Sequence, residues 1–212
     1  MGILGELRLI LESEEFLKDW EEGECRNILQ TLFDPGENAR IQPQASFLST
    51  FIVHVHKKCG YRVFQSLTIK LPESSEVKKL LRTKQQIIKE HLCGPLYASR
   101  DGCGYRKACF DAEEKKTEFD ALVIGDGEKC IVEYEDKISG NLCRSLVYAY
   151  RVMTYKQRKD LIWLFVVPIR SKEAENKAEK CEKGAEHLFK DVIERNNWSI
   201  VRLKSHAEQA FH

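Results

Sequence analysis

The sequence predicts an α/β fold, a mixed β-sheet flanked by helices, and three observations carry that expectation. Strand-like and helix-like segments alternate from Glu118 to Leu203. The run from Leu161 to Val167 is apolar throughout, as a central strand buried on both faces should be. Asp126-Gly127, the dipeptide favoured in a two-residue type I′ turn, stands between two stretches of alternating polarity.

The elements follow in order. From Ile3 to Phe33 apolar residues recur at helical spacing (Leu4, Leu7, Leu11, then Phe16, Leu17, Trp20), and Pro35-Gly36 ends the region, which predicts one or two helices. The runs Phe47 to His56 and Tyr61 to Leu71 are rich in β-formers and flank Lys57 to Gly60, so they are expected to form a hairpin. After Pro72, Ser74 and Ser75 offer a cap for a basic helix whose apolar face runs from Val77 through Leu80, Leu81, Ile87 and Ile88 to Leu92. Gly94 to Lys116 is polar, charged and Gly-containing, and is read as a long loop. Strands at Glu118–Ile124 and Lys129–Glu135, a helix at Asn141–Gln157 and the strand stopping at Pro168 come next. Ala174, Ala178, Cys181, Ala185, Leu188 and Val192 form one stripe of a further helix, and a strand over Trp198–Leu203 closes the pattern.

At 212 residues and 42% hydrophobic content the chain can fill one core, so a single domain over 1–212 is expected. No apolar run approaches the eighteen or so residues of a membrane span, and Glu6, Arg8 and Glu12 interrupt the N-terminal apolar residues, so a cytoplasmic protein is expected. The net charge of +1 offers no global attraction to a polyanion, and any nucleic-acid contact must come from local clusters. Eight irregularly spaced cysteines without a secretion signal favour reduced thiols. His91, Cys93, Cys103 and Cys109 supply a possible zinc set, although no Cys-x-x-Cys knuckle accompanies them. His54-x-His56, on a strand, would point two imidazoles to one face.

The Asp126-Gly127 turn sets the register of its two strands. Gly125 then lies opposite Glu128, and Asp120 opposite Glu133. In that register Phe119, Ala121 and Val123 share the core face with Cys130, Val132 and Tyr134, while Asp120, Glu133 and Glu135 gather on the other face. Three neighbouring carboxylates repel one another unless they are paired, solvated or shared by a cation. Either they hold a hard divalent ion or they face solvent on a half-exposed hairpin.

Phe119-Asp120, followed by Glu133-Tyr134-Glu135 at the end of an apolar strand, resembles the motif of the PD-(D/E)XK nuclease superfamily in its Glu-x-Glu variant. That variant is typical of type II restriction endonucleases of the BamHI/BglII kind. Arg144-Ser145 in the next helix and the strand ending Val167-Pro168-Ile169 extend the similarity, which covers about Phe119 to Arg170. Phe119 stands where the family has proline, and the loop Asp136–Asn141 lacks the family's base-contacting polar residues, so no recognition site is implied.

The resemblance implies a restriction-endonuclease-like fold with its catalytic core over about 74–204 and an N-terminal helical and β elaboration over 1–73. It implies Mg²⁺-dependent hydrolysis of double-stranded DNA, usually by a homodimer. Asp120 and Glu133 would be metal ligands, joined by Glu90 from an upstream helix, and Glu135 the catalytic glutamate or a ligand of a second metal. In an alternative frame Glu135-Asp136-Lys137 is the ordinary Glu-x-Lys signature, with Lys137 orienting the attacking water.

Lys137, Arg144, Arg151, Lys156, Arg158 and Lys159, with Arg106 and Lys107 in the loop, are candidate phosphate contacts, and the helix Asn141–Gln157 a candidate dimer interface. Three readings stand: a type II restriction endonuclease, a structure-selective repair or junction nuclease, and a non-catalytic DNA- or protein-binding module.

Overall fold

The computed structural model describes residues 2–33, 43–70, 79, 83–84, 86–93, 116–136, 140–156 and 160–204. Five strands form one sheet in chain order: β1 (Arg62–Lys70), β2 (Lys116–Gly125), β3 (Glu128–Tyr134), β4 (Leu161–Ile169) and β5 (Trp198–Lys204). The first three pair antiparallel, and β3–β4 and β4–β5 pair parallel, which is the mixed α/β arrangement expected. The helices are α1 (Ile3–Leu11), α2 (Glu14–Phe33), α3 (Pro43–Cys59), α4 (Gly140–Lys156) and α5 (Lys172–Phe189), with a π-helical turn at Ile88–Cys93.

Each face of the sheet is covered. On one, α1, α2 and α3 bury Leu7, Phe16, Trp20, Phe47 and Phe51 against Ala121, Val132, Leu164 and Val201. On the other, α4, α5 and the π-helical turn close over Phe119, Ile131, Trp163, Phe165 and Ile200. The nine residues of β4 are all buried between these layers, as their unbroken apolarity predicts.

The segment Phe47–His56 is helical, not a strand. Its β-branched residues favour a sheet locally, but Phe47, Phe51 and Val55 fall four apart and bury together on one helix stripe. Tertiary burial outweighs propensity here. Gly60, at φ +70°, donates its N–H to the His56 carbonyl and ends the helix, and β1 starts two residues later. The expected hairpin is therefore a helix followed by a strand. His54 and His56 consequently do not share a strand face: His54 is buried with Nε2 2.9 Å from Asp19, whereas His56 is exposed.

Pro168 lies inside β4, which runs on to Ile169. The Val166 carbonyl accepts from the Glu135 N–H on the β3 side, and two residues on Pro168 faces the same side beyond the end of β3, where no donor is required. The π-helical turn ends a stretch expected to be α-helical, with Ile88 and Leu92 buried as its pattern requires. Among the described residues no helix is long and apolar enough to cross a membrane.

Candidate active site

The β2–β3 hairpin turns where the sequence places it. Asp126 and Gly127 both have positive φ (50° and 80°), as a type I′ turn demands, and Gly125 pairs with Glu128. The paired register ends at Ala121 opposite Val132, and beyond it the Asp120 N–H reaches the Glu133 carboxylate. Gly125 has no room for a side chain, because a Cβ there would meet the Tyr61 ring at 2.1 Å.

The alternation of β2 breaks at Asp120. Ala121 and Val123 pack towards α1 and α3, but Phe119 lies on the opposite face, edge-on to Trp163 at 5.2 Å. Phe119 thus does not share the face of Ala121, contrary to the simple two-residue period. The neighbouring strand shows the cause: Ser66, level with Asp120, has φ +56° and makes no Cα pairing, so both strands kink together.

That kink sets the Asp120 backbone beside Glu133 while its carboxylate reaches α3, and the end of β3 carries the two glutamates. Glu133 and Glu135 alternate onto the α4 side, and the Glu135 backbone is pinned to β4 through its 2.9 Å bond to Val166. From α4, the Ser145 hydroxyl lies 2.9 Å from Glu133 Oε1 and 2.7 Å from Glu135 Oε1. The Asp120 N–H donates to Glu133 Oε2 at 3.2 Å. The Asp120 carboxylate accepts the Tyr134 N–H at 2.6 Å and also the side-chain amide of Gln44, at the start of α3. Asp120, Glu135 and Ser145 are 8%, 9% and 4% exposed and so nearly closed off from bulk water, whereas Glu133 is half-buried.

Burial sets the electrostatics. It raises the Asp120 carboxyl, against the Tyr134 and Gln44 bonds that favour its charge. It pushes Glu133 up to about 9, helped by the charges of Asp120 and Glu135. Glu135 rises to about 7 for the same principal reason, moderated by Ser145 and by the Arg144 charge. The hydroxyl count agrees: Ser145 has one proton for two carboxylates, so both contacts are hydrogen bonds only when one glutamate is protonated and donates back. Such a site stores a proton or admits a cation.

Divalent magnesium is tested by the donor set. Among the described residues no group of three or more His, Cys, Asp or Glu side chains is placed to hold a metal ion, so Asp120, Glu133 and Glu135 do not form a three-carboxylate site as they stand. Magnesium does not require one, since it is typically held by one or two carboxylates plus waters and substrate oxygens. Buried, mutually repelling carboxylate oxygens at the carboxyl end of a parallel strand pair fit that chemistry.

The other predicted residues divide. Arg144 is half-buried beside the cluster, and its charge acts on Glu135. Glu90 is exposed and accepts from Gln86 at 2.8 Å, a contact within its own turn. Arg151 is not a surface phosphate contact: it is 4% exposed, with its guanidinium 5.5 Å from the Tyr148 ring. Lys137, Arg106, Lys107, Arg158, Lys159, Cys103 and Cys109 lie outside the described residues, as do the side chains of His91, Cys93 and Lys156. No disulfide joins the described thiols, at Cys25, Cys59, Cys130, Cys143 and Cys181. Gln44 and the bridging role of Ser145 had no sequence signal, because each depends on a helix docking from outside the hairpin.

Among its described side chains the helix α4 turns inward. Leu142, Cys143 and every residue from Ser145 to Met153 are buried within the chain, leaving Arg144 and Thr154 half-buried among its described side chains. No protein-family model, curated protein or solved structure matches this chain.

Proposed function

We propose that the chain is a Mg²⁺-dependent endonuclease that hydrolyses phosphodiester bonds of double-stranded DNA. The observation that carries this reading is the joining of Glu133 and Glu135 through one buried hydroxyl, with Asp120 directly across the hairpin. The resemblance of Phe119-Asp120 and Glu133-Tyr134-Glu135 to the Glu-x-Glu restriction endonucleases supports it and favours a type II restriction enzyme acting as a cytoplasmic homodimer.

Asp120 and Glu133 would hold the ion, which when bound supplies an activated water and neutralises charge developing on the phosphate. Glu135, pushed up to about 7 and half-bonded to Ser145, is poised to take a proton from water near neutral pH. The β4 ladder fixes its backbone, and Arg144 supplies a positive charge on the side where a phosphate would approach. Under this reading a dimer interface uses a surface other than the described side chains of α4.

Incubation of the protein with supercoiled plasmid DNA and Mg²⁺, beside Asp120→Asn, tests the proposal. Cleavage by the wild type and a loss of at least about a hundredfold in the variant are expected. Persistent cutting by Asp120→Asn contradicts the site. A branched substrate cut in preference to the plasmid would favour a repair or junction nuclease.

One observation favours a second reading, a non-catalytic DNA- or protein-binding module. Asp120 is satisfied within the protein by Tyr134 and Gln44 rather than left facing a ligand. That reading predicts no change in Mg²⁺ affinity for Asp120→Asn.

A further inference from the structure

We infer that Ser145 is a positioning residue, which fixes the separation of Glu133 and Glu135 from the opposing helix so that their oxygens can serve one divalent ion and its water. This rests on the nuclease reading of the same site, and it concerns a residue that neither touches the reacting atoms nor belongs to the carboxylate motif.

Geometry carries the inference. Glu133 and Glu135 stand on the same strand face, one near the end of β3 and one just past it, beyond the last paired residue on the β2 side. Without a bridge, two flexible carboxyl side chains there would have no common anchor. The Ser145 hydroxyl touches one oxygen of each, at 2.9 and 2.7 Å, which confines those two oxygens to one small region. Ser145 is itself held rigidly: it is 4% exposed on a helix whose neighbours Leu146, Val147 and Ala149 are fully buried. Its placement costs nothing when a ligand arrives, because the packing of α4 has already fixed it. The Glu135 backbone is anchored from the β4 side and its side chain from the α4 side, so the carboxylate is clamped between two layers.

Outer-sphere partners of this kind typically change metal affinity by ten- to a hundredfold when removed. Two variants separate positioning from folding. Ser145→Ala deletes the hydroxyl, whereas Ser145→Thr keeps it on a side chain one methyl larger. The readouts are Mn²⁺ affinity by calorimetry without DNA, DNA affinity in Ca²⁺, and kcat and KM for duplex cleavage in Mg²⁺.

Ser145→Ala is expected to weaken Mn²⁺ binding at least about tenfold and lower kcat, with DNA affinity and KM unchanged, and Ser145→Thr to stay within about threefold of wild type. Wild-type Mn²⁺ affinity in Ser145→Ala, or a Thr variant as weak as Ala, overturns the role of Ser145 while leaving the nuclease reading intact. A wild-type protein that neither binds Mn²⁺ nor cuts duplex DNA overturns the nuclease reading, and the role of Ser145 with it.

Discussion

Replacing Glu135 by glutamine is expected to stabilise the metal-free protein, and to do so only above acidic pH. The carboxyl rises from its ordinary 4.5 to about 7 in the fold, chiefly because burial disfavours its charge. Its protonated form is therefore the one the fold prefers. Below pH 4.5 the side chain is neutral in both folded and unfolded chains and costs nothing. As pH climbs through the window from 4.5 to about 7 the unfolded chain ionises more readily, and stability falls until it levels off above the upper value. At about 1.4 kcal/mol for each pH unit, that window amounts to about 3 kcal/mol. For a chain of this size, about 3 kcal/mol corresponds to a melting point higher by about 6 °C or more.

Glutamine retains an oxygen for Ser145 and carries no charge, and removing that charge also relieves Glu133, on which Glu135 acts repulsively. Urea unfolding in EDTA at half-unit steps from pH 4 to pH 8.5 measures the difference. Wild type and Glu135→Gln are expected to coincide near pH 4 and to diverge through the window, with the variant more stable at pH 8. A variant less stable than wild type at pH 8, or a gap independent of pH, would refute the burial argument.

Further outcomes follow from the same geometry. Because burial favours the protonated form of both glutamates, the nuclease reading predicts that Mg²⁺ binding at pH 7.5 releases protons and tightens as pH rises towards 9. Calorimetry in two buffers of different ionisation enthalpy detects this, and identical heats would contradict it. Gly125→Ala drives a methyl into the Tyr61 ring, and a loss of about 1–3 kcal/mol in urea unfolding is expected, whereas an unchanged midpoint would show that Tyr61 moves freely. Phe47→Ala removes a ring stacked on Tyr134 at 4.4 Å and on Phe51 at 5.5 Å, so a loss of about 3–5 kcal/mol is expected by the same measurement.

The parts of the fold legible in the sequence are those fixed by short-range rules. Asp126-Gly127 set both the turn and the register because only positive φ at two successive residues closes that hairpin. The unbroken apolar run of β4 and the stripe Ala178, Cys181, Ala185 and Leu188 of α5 declared their burial directly. Residues 47–56 misled because Phe, Ile and Val satisfy a strand and a helix stripe equally well at that length, and only the sheet beneath Phe47 and Phe51 decides between them. The reversal of Phe119 depends on Ser66, a residue on another strand, and so no pattern within β2 could signal it. At the site, proximity of Asp120 to Glu133 was readable from register, but the clamp by Ser145 and the reach of Gln44 arise from helix docking. Arg151 shows the converse, a charge that looks like surface in sequence and lies in the core.

Anomalous diffraction from a Mn²⁺-soaked crystal is the most direct measurement of the shared-ion claim. A peak is expected at coordination distance, about 2.1 Å for a small hard divalent ion, from carboxylate oxygens of Asp120 and Glu133, with Glu135 within reach of its bound water. Carboxylates that keep their bonds to Ser145, Tyr134 and Gln44 with no peak beside them, at Mn²⁺ concentrations that saturate binding in solution, would contradict it.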